Sequence, residues 1–182
     1  MSVIEKTMDA LKRHEGWRSN IYYDSEGVAT LGYGFNISEV ELTEPVRKLW
    51  HSIHIDRLEK ALADLPEYED LSAERQDEIN KIVDLPEAVA ELQLYQLLQK
   101  HLEELKTIAG WNDLNDARKG ALLNMHYNLG NNRFLKFKKM LAAIEQGNYR
   151  EAASEMIDSK WARQVGQRAY ELSRIIKLGV DA

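Results

Sequence analysis

No cysteine occurs among the 182 residues, so neither a disulfide framework nor a thiolate zinc site can form, and packing must hold the chain together. Long apolar runs are missing too, since none approaches the roughly 20 residues of a membrane span. The opening Met1-Ser2-Val3-Ile4-Glu5-Lys6 carries charges where a secretory leader needs an apolar stretch. These absences predict a chain made soluble in the cytoplasm, without membrane insertion, whose exit another protein must arrange. Positive charge is in deficit: the net charge of −6 provides no general field for phosphate backbones, and nucleic acid is excluded as the expected partner.

What is present reads as a folded domain. Hydrophobic residues make up 44% and charged residues 30%, an ordinary balance for a soluble globular protein. The charge is unevenly spread. Residues 55 to 107 are rich in Glu and Asp, whereas Arg133, Lys136, Lys138, Lys139, Lys160, Arg163, Arg168 and Arg174 make the final third basic.

Val3, Ile4, Met8 and Leu11 recur at helical spacing, predicting a first amphipathic helix that ends near Arg13 or His14, with Gly16 as its stop. The texture then changes. Ile21-Tyr22-Tyr23, the turn cluster Asp24-Ser25-Glu26-Gly27, and the run from Val28 to Phe35 predict a hairpin. Helical texture fills most of the rest: 44–65, 73–83, 86–108, 113–129, 134–146, 149–158 and a last stretch from about Gln164. Pro45 and Pro86 suit first helical turns, Pro66 closes a helix, and Gly110, Gly130 and Gly147 fall where helices should stop.

The expected class is therefore α+β and mostly helical. A single domain over 1–182 would hold a small lobe at about 15–85, with an extra helical segment at 44–84. A connecting helix at 86–108 would lead to a helical lobe built from 1–14 and 109–182.

Glu15 closes the first helix and Asp24, nine positions later, opens the turn; Thr30 follows in the second strand. A helix end facing a hairpin makes a cleft. Glycosidic cleavage needs one carboxylic acid to protonate the leaving oxygen and a second carboxylate to activate water or stabilise an oxocarbenium charge. Glu15, flanked by Gly16 and Trp17, is the candidate for the partly desolvated acid, and Asp24, in a polar turn, for the ionised group. Spacing alone carries this pairing weakly, since Glu after a helix and Asp at a turn are commonplace.

The surrounding text is more specific. The run His14-Glu15-Gly16-Trp17-Arg18, then Tyr22-Tyr23-Asp24-Ser25-Glu26-Gly27, then Thr30-Leu31-Gly32-Tyr33-Gly34, resembles the catalytic signature of the phage T4-type lysozymes: Glu-Gly, Tyr-x-Asp-x-x-Gly and Thr-x-Gly-x-Gly in order. Ala121 to Met125, Tyr127-Asn128-Leu129-Gly130, Phe137, Ser159-Lys160-Trp161 and Gln167-Arg168-Ala169 continue the resemblance, which covers roughly 3–36 and 86–175.

The resemblance implies a lysozyme-like fold, and a muramidase that cleaves the β-1,4 bond between N-acetylmuramic acid and N-acetylglucosamine in bacterial peptidoglycan with inversion. It makes Glu15 the general acid, Asp24 the carboxylate that positions water, and Thr30 a hydroxyl beside that water. Tyr127, Asn128, Phe137 and Gly34 match cleft positions that meet sugar, and Arg168 matches the arginine that pairs with the catalytic glutamate. No cofactor is implied. Expected besides are a monomer, residence in a host bacterial cytoplasm with access to the wall through a separate holin, or else association with a virion. The alternative is a non-catalytic lysozyme-derived module for wall binding or virion structure, which would be expected to have lost Glu15, Asp24 or Thr30.

Two departures from the family pattern stand out. Phe35 replaces a histidine that pairs with a distant aspartate, so packing is expected there. His14 and Glu171 occupy positions where the family pattern has an acidic and a basic residue, so an ion pair with exchanged charges is expected. The string His51, His54, Asp56 offers metal-ligand types, but Asp56 points away from both imidazoles on a helix, and no metal is assigned. Trp50, Trp111 and Trp161 are expected as core anchors.

Overall fold

The computed structural model describes residues 2–23, 29–36, 72–74, 77 and 85–180. Asp24, Trp50, His51, His54, Asp56 and the expected helix 44–65 lie outside them, and within 73–83 only Ala73, Glu74 and Asp77 are described, as helical. The chain divides into two compact units, 15–96 and 1–14 with 97–182. No helix among the described residues is long and apolar enough to cross a membrane.

Helix α1 runs Val3–Glu15. Its start is a reciprocal cap: Ser2 N donates to Glu5 Oε2 at 2.7 Å and Glu5 N donates to Ser2 Oγ at 3.2 Å, satisfying donors that have no partner inside the helix. It ends one residue beyond the expected position, and Gly16 at φ 71° turns the chain out, a conformation that a side chain would oppose.

In the unit 15–96, strands β1 (Arg18–Tyr23), β2 (Ala29–Gly32) and β3 (Phe35–Asn36) form an antiparallel sheet in that order. The third strand was not part of the expected hairpin; Tyr33 and Gly34 turn the chain so that Leu31 pairs with Phe35 and Thr30 with Asn36. Phe35 is buried, and its ring fills the space over Gly32, where an added Cβ would lie 2.6 Å from it. Leu85 packs at the same place and donates its backbone N–H to Ser19 O at 3.0 Å. Tyr33 extends the attachment by donating to Glu87 Oε1 at 2.6 Å, in the first turn of α2 (Glu87–Leu105). Burial and this acceptor push the Tyr33 phenol above its ordinary range.

In the other unit, α2 leads to a 3₁₀ turn (Trp111–Asp113) and then to α3 (Asp116–Leu129), α4 (Asn131–Phe134), α5 (Lys138–Glu145), α6 (Tyr149–Ile157), α7 (Lys160–Val165) and α8 (Gln167–Leu178). Boundaries differ from the periodicity reading where local chemistry intervenes. Asn115 caps α3 by accepting from Arg118 N at 3.1 Å, so the helix starts at Asp116 instead of 113. The expected helix 134–146 is two, because Phe137 leaves helical backbone (φ −77°, ψ 52°). Ser159 caps α7, and Gly166 (φ 55°, ψ −120°) separates it from α8.

The core of this unit is α3, which is buried continuously from Ala121 to His126. A helix enclosed on all sides has no polar face to give to water, so its polar residues need protein partners. Asn124 has several. Its Oδ1 accepts from Arg168 Nε at 2.9 Å and its backbone carbonyl from the same guanidinium at 3.3 Å. Its Nδ2 faces His14 Nδ1 at 3.4 Å, which leaves His14 Nε2 to donate to Glu171 Oε2 at 3.0 Å. Trp111 and Trp161 are both buried.

The bond from His14 holds the Glu171 carboxyl below its ordinary range, with burial opposing it and Gln167 and Arg13 assisting. A carboxyl lowered by folding stabilises the fold above its unfolded value, near 4.3, and that stabilisation is lost as pH falls through the lower folded value. Glu171→Gln is therefore expected to lower thermal stability at pH 7 by less than about 1 kcal/mol, since the carboxylate is partly exposed. Melting curves of the two proteins should converge as the solution is acidified below the wild-type carboxyl's folded value. A constant difference across that range would remove the carboxylate's charge from the account.

Candidate active site

Of the residues the sequence singles out, Glu15, Thr30 and Gly34 lie in the unit 15–96 and are described there; Asp24 belongs to the same stretch of chain but lies outside the described residues. Glu15 is the last residue of α1 and is half-buried. Its carboxylate rests against the turn between β2 and β3. A Cβ built on Gly34 would lie 2.8 Å from Glu15 Oε2 and 3.1 Å from the carboxyl carbon. Gly34 also has φ 76°, so its backbone demands glycine, and the carboxylate end of Glu15 occupies the space that a Cβ there would enter.

Thr30 sits in the middle strand, paired with Tyr22 on one side and Asn36 on the other, and is 3% exposed. A buried hydroxyl on a central strand is fixed in position by its ladder. The pairing of β1 with β2 is irregular between Arg18 and Tyr22, which re-aims side chains along that edge. Trp17 lies against Tyr33 with ring centroids 5.4 Å apart, at the level of the turn that bears Gly34.

Tyr127, Asn128, Phe137, Arg168, His14 and Glu171 are in the helical unit. Trp161 organises two of them. Its indole N–H donates to Asn128 Oδ1 at 2.7 Å, and Phe137 meets it edge-on with centroids 6.3 Å apart. With Oδ1 so engaged, the Asn128 amide nitrogen keeps its donors for another acceptor. Tyr127 lies edge-on to His101 at 5.7 Å. Arg168 is buried at the start of α8 and bound to Asn124, while His14 and Glu171 form the contact described above. The helical unit thus carries an aromatic and amide group on α3 and at the N-cap of α5, and a buried cation held from α3.

One cluster with chemical capacity escaped the sequence reading. His101, Glu104 and His126 converge, with one ligand-type atom from each lying within 4.8 Å of the others. The pattern His101-x-x-Glu104 is a helical i, i+3 pair and could have been noticed; its third member, on another helix, could not. Burial lowers His126 below the ordinary imidazole range and lowers His101 to about 4, with the His126 charge adding to the effect and Glu104 opposing it.

The phage lysozyme family matches residues 12–175. The chain is 27% identical over 183 residues to a protein named probable T4-type lysozyme 1 from Dictyostelium discoideum, covering 97% of this chain and 96% of that protein. It is 28% identical over 182 residues to the same organism's probable T4-type lysozyme 2, with the same coverage of each. It is also 27% identical over 179 residues to the pre-baseplate central spike protein Gp5 of Enterobacteria phage T4, covering 94% of this chain and 27% of the spike protein. The described architecture, a small antiparallel sheet in a mostly helical chain, is the α+β lysozyme-like arrangement, and the match spans nearly the whole length: this chain belongs to the phage lysozyme family.

Proposed function

We propose that the chain is a peptidoglycan muramidase that hydrolyses the β-1,4 bond between N-acetylmuramic acid and N-acetylglucosamine by inverting general acid and base catalysis. The observation that carries this reading is the seat of the Glu15 carboxylate against Gly34, in a chain of the lysozyme family. An acid must be held still to deliver its proton to one oxygen. Glu15 has that property, anchored at its backbone by the last turn of α1 and given room for its carboxylate by a glycine.

In the proposed reaction Glu15 protonates the glycosidic oxygen as the bond to the sugar C1 breaks. Asp24 takes a proton from a water that attacks C1 from the opposite face, and Thr30 accepts or donates a hydrogen bond to that water. Protons balance over the cycle, one leaving Glu15 and one arriving on Asp24. Tyr127, Asn128 and Phe137 are the proposed sugar contacts: aromatic rings suit the apolar faces of a saccharide, and an amide suits its hydroxyls. No cofactor is needed for the reaction. The wall is the proposed partner and the monomer the proposed working form. Similarity to the spike protein supports a virion-associated setting alongside release through a holin-type hole, and it motivates the second reading, a structural module without turnover.

Clearing of purified peptidoglycan, with analysis of the reducing ends released, separates the two. Glu15→Gln is expected to reduce the rate by at least about 10²-fold while leaving the fold intact. Equal clearing by wild type and variant would remove Glu15 from the chemistry, and no clearing by either would favour the structural module.

Gly34→Ala tests the seat itself. The added methyl should cost roughly 1–2 kcal/mol for the left-handed backbone and displace the Glu15 carboxylate, lowering kcat more than it changes KM. Full activity in a folded Gly34→Ala protein would show that the acid does not depend on this contact.

A further inference from the structure

The histidines and glutamate of the helical unit present a site that the hydrolytic reaction does not use. His101 and Glu104 lie one turn apart on α2, and His126 comes from the enclosed stretch of α3. His101 Nδ1 and His126 Nδ1 are 2.9 Å apart. Glu104 Oε2 is shielded from solvent and, among the described residues, is the buried side-chain oxygen left without a hydrogen bond. It stands 3.6 Å from His101 Nδ1 and from His126 Nε2, beyond hydrogen-bonding distance in both cases.

A carboxylate oxygen with no donor, placed beside two imidazoles, is costly unless something positive joins them. The proton supply is insufficient. His126 Nε2 faces Asn131 Oδ1 at 3.3 Å, a contact that requires the N–H to be on Nε2 and leaves Nδ1 as a lone pair. His101 then donates its Nδ1 proton to His126 Nδ1, and Glu104 receives none.

We propose that His101, Glu104 and His126 form a site for a divalent transition-metal ion of the zinc class, bound by one imidazole nitrogen from each histidine and by the Glu104 carboxylate. Two nitrogens and one carboxylate oxygen are a donor set suited to such an ion, with water completing a tetrahedron. Bonds of about 2.0–2.1 Å set ligand atoms roughly 3.3 Å apart; the separations of His101 Nδ1 from His126 Nδ1, 2.9 Å, and from Glu104 Oε2, 3.6 Å, lie on either side of that value, and all three ligand atoms fall within 4.8 Å of one another, so seating an ion draws Glu104 inward. The surroundings orient the rings. Asn131 fixes the His126 tautomer with Nδ1 open, and Phe134 lies edge-on to the same ring at 4.9 Å, while Tyr127 abuts His101. Binding asks of His101 only that its proton move from Nδ1 to Nε2. Its partial exposure, with that of Glu104, gives the ion a way in. The bound ion would tie α2 to α3 where α3 carries Tyr127 and Asn128.

The test is calorimetric titration of the full chain, stripped with chelator, with Zn²⁺ at pH 7, followed by thermal unfolding with and without the ion and by the visible spectrum of the Co²⁺ form. Expected are one ion per chain, a raised melting temperature and the intense absorption of tetrahedral cobalt. His101→Gln and Glu104→Gln, both at partly exposed positions, should each lower affinity at least about 10-fold and abolish the melting shift. Glu103→Gln, on the same helix but outside the cluster, should behave as wild type. Absence of binding by the wild type, or binding undiminished in both variants of the cluster, would overturn the site. Peptidoglycan clearing is independent of either result, so failure here leaves the assignment of Glu15 untouched.

Discussion

The enclosure of α3 is the constraint on which the helical unit depends. Six consecutive residues of that helix are buried, and two of them, Asn124 and His126, are polar. Each unpaired polar group in such a place would cost roughly 1–3 kcal/mol, so each has recruited other elements. Asn124 gathers Arg168 from α8 and His14 from the end of α1, and through His14 it reaches Glu171. His126 gathers His101 from α2 and Asn131 from α4. One buried helix thereby fixes the positions of four others through directional bonds, which apolar packing alone would leave freer to slide.

That arrangement bears on function through sequence neighbours. Tyr127 and Asn128 follow directly on the polar pair, so the bonds that satisfy Asn124 and His126 also set the rotation of α3 and hence where the proposed sugar contacts project. Trp161 adds a second restraint by holding the Asn128 oxygen. A side chain whose acceptor is already engaged, and whose helix cannot turn, presents its amide donors in one direction.

Much of this was legible before folding, and the reason is locality. Gly16 read as a helix stop because positive φ favours a residue without a side chain, and it adopts 71°; Gly34, read as part of the second β-prone run, instead turns the chain at 76°. The hairpin between Ile21 and Phe35 followed from β-prone runs about a turn cluster. Helix boundaries were less legible where a polar cap or an aromatic residue decided them. Asn115 and Ser159 begin helices by accepting backbone N–H groups, and Phe137 leaves the helix to pack on Trp161; periodicity reports none of these. The cluster of His101, Glu104 and His126 was legible only in its i, i+3 pair, for a different reason: its third member is joined by the packing of two helices, 25 positions along the chain from His101. His51 and His54, which look more like a ligand pair in the sequence, fall outside the described residues.

The glycine at 34 shows why spacing motifs can carry chemistry at all. In Thr30-x-Gly32-x-Gly34 each member answers a separate physical demand. Thr30 supplies a buried hydroxyl on the middle strand, Gly32 leaves room for the ring of Phe35, and Gly34 leaves room for the carboxylate of Glu15. The alternation at every second residue places all three at defined points of a strand and its turn. Exchanging the order would put a Cβ into the ring or into the acid. The motif is therefore a record of steric and polar requirements around one carboxylate, and its presence constrains Glu15 even though Glu15 lies fifteen residues before Thr30. Phe35 sits within this same packing. Its apolar ring over Gly32 holds the turn beside the place where the Glu15 carboxylate meets Gly34.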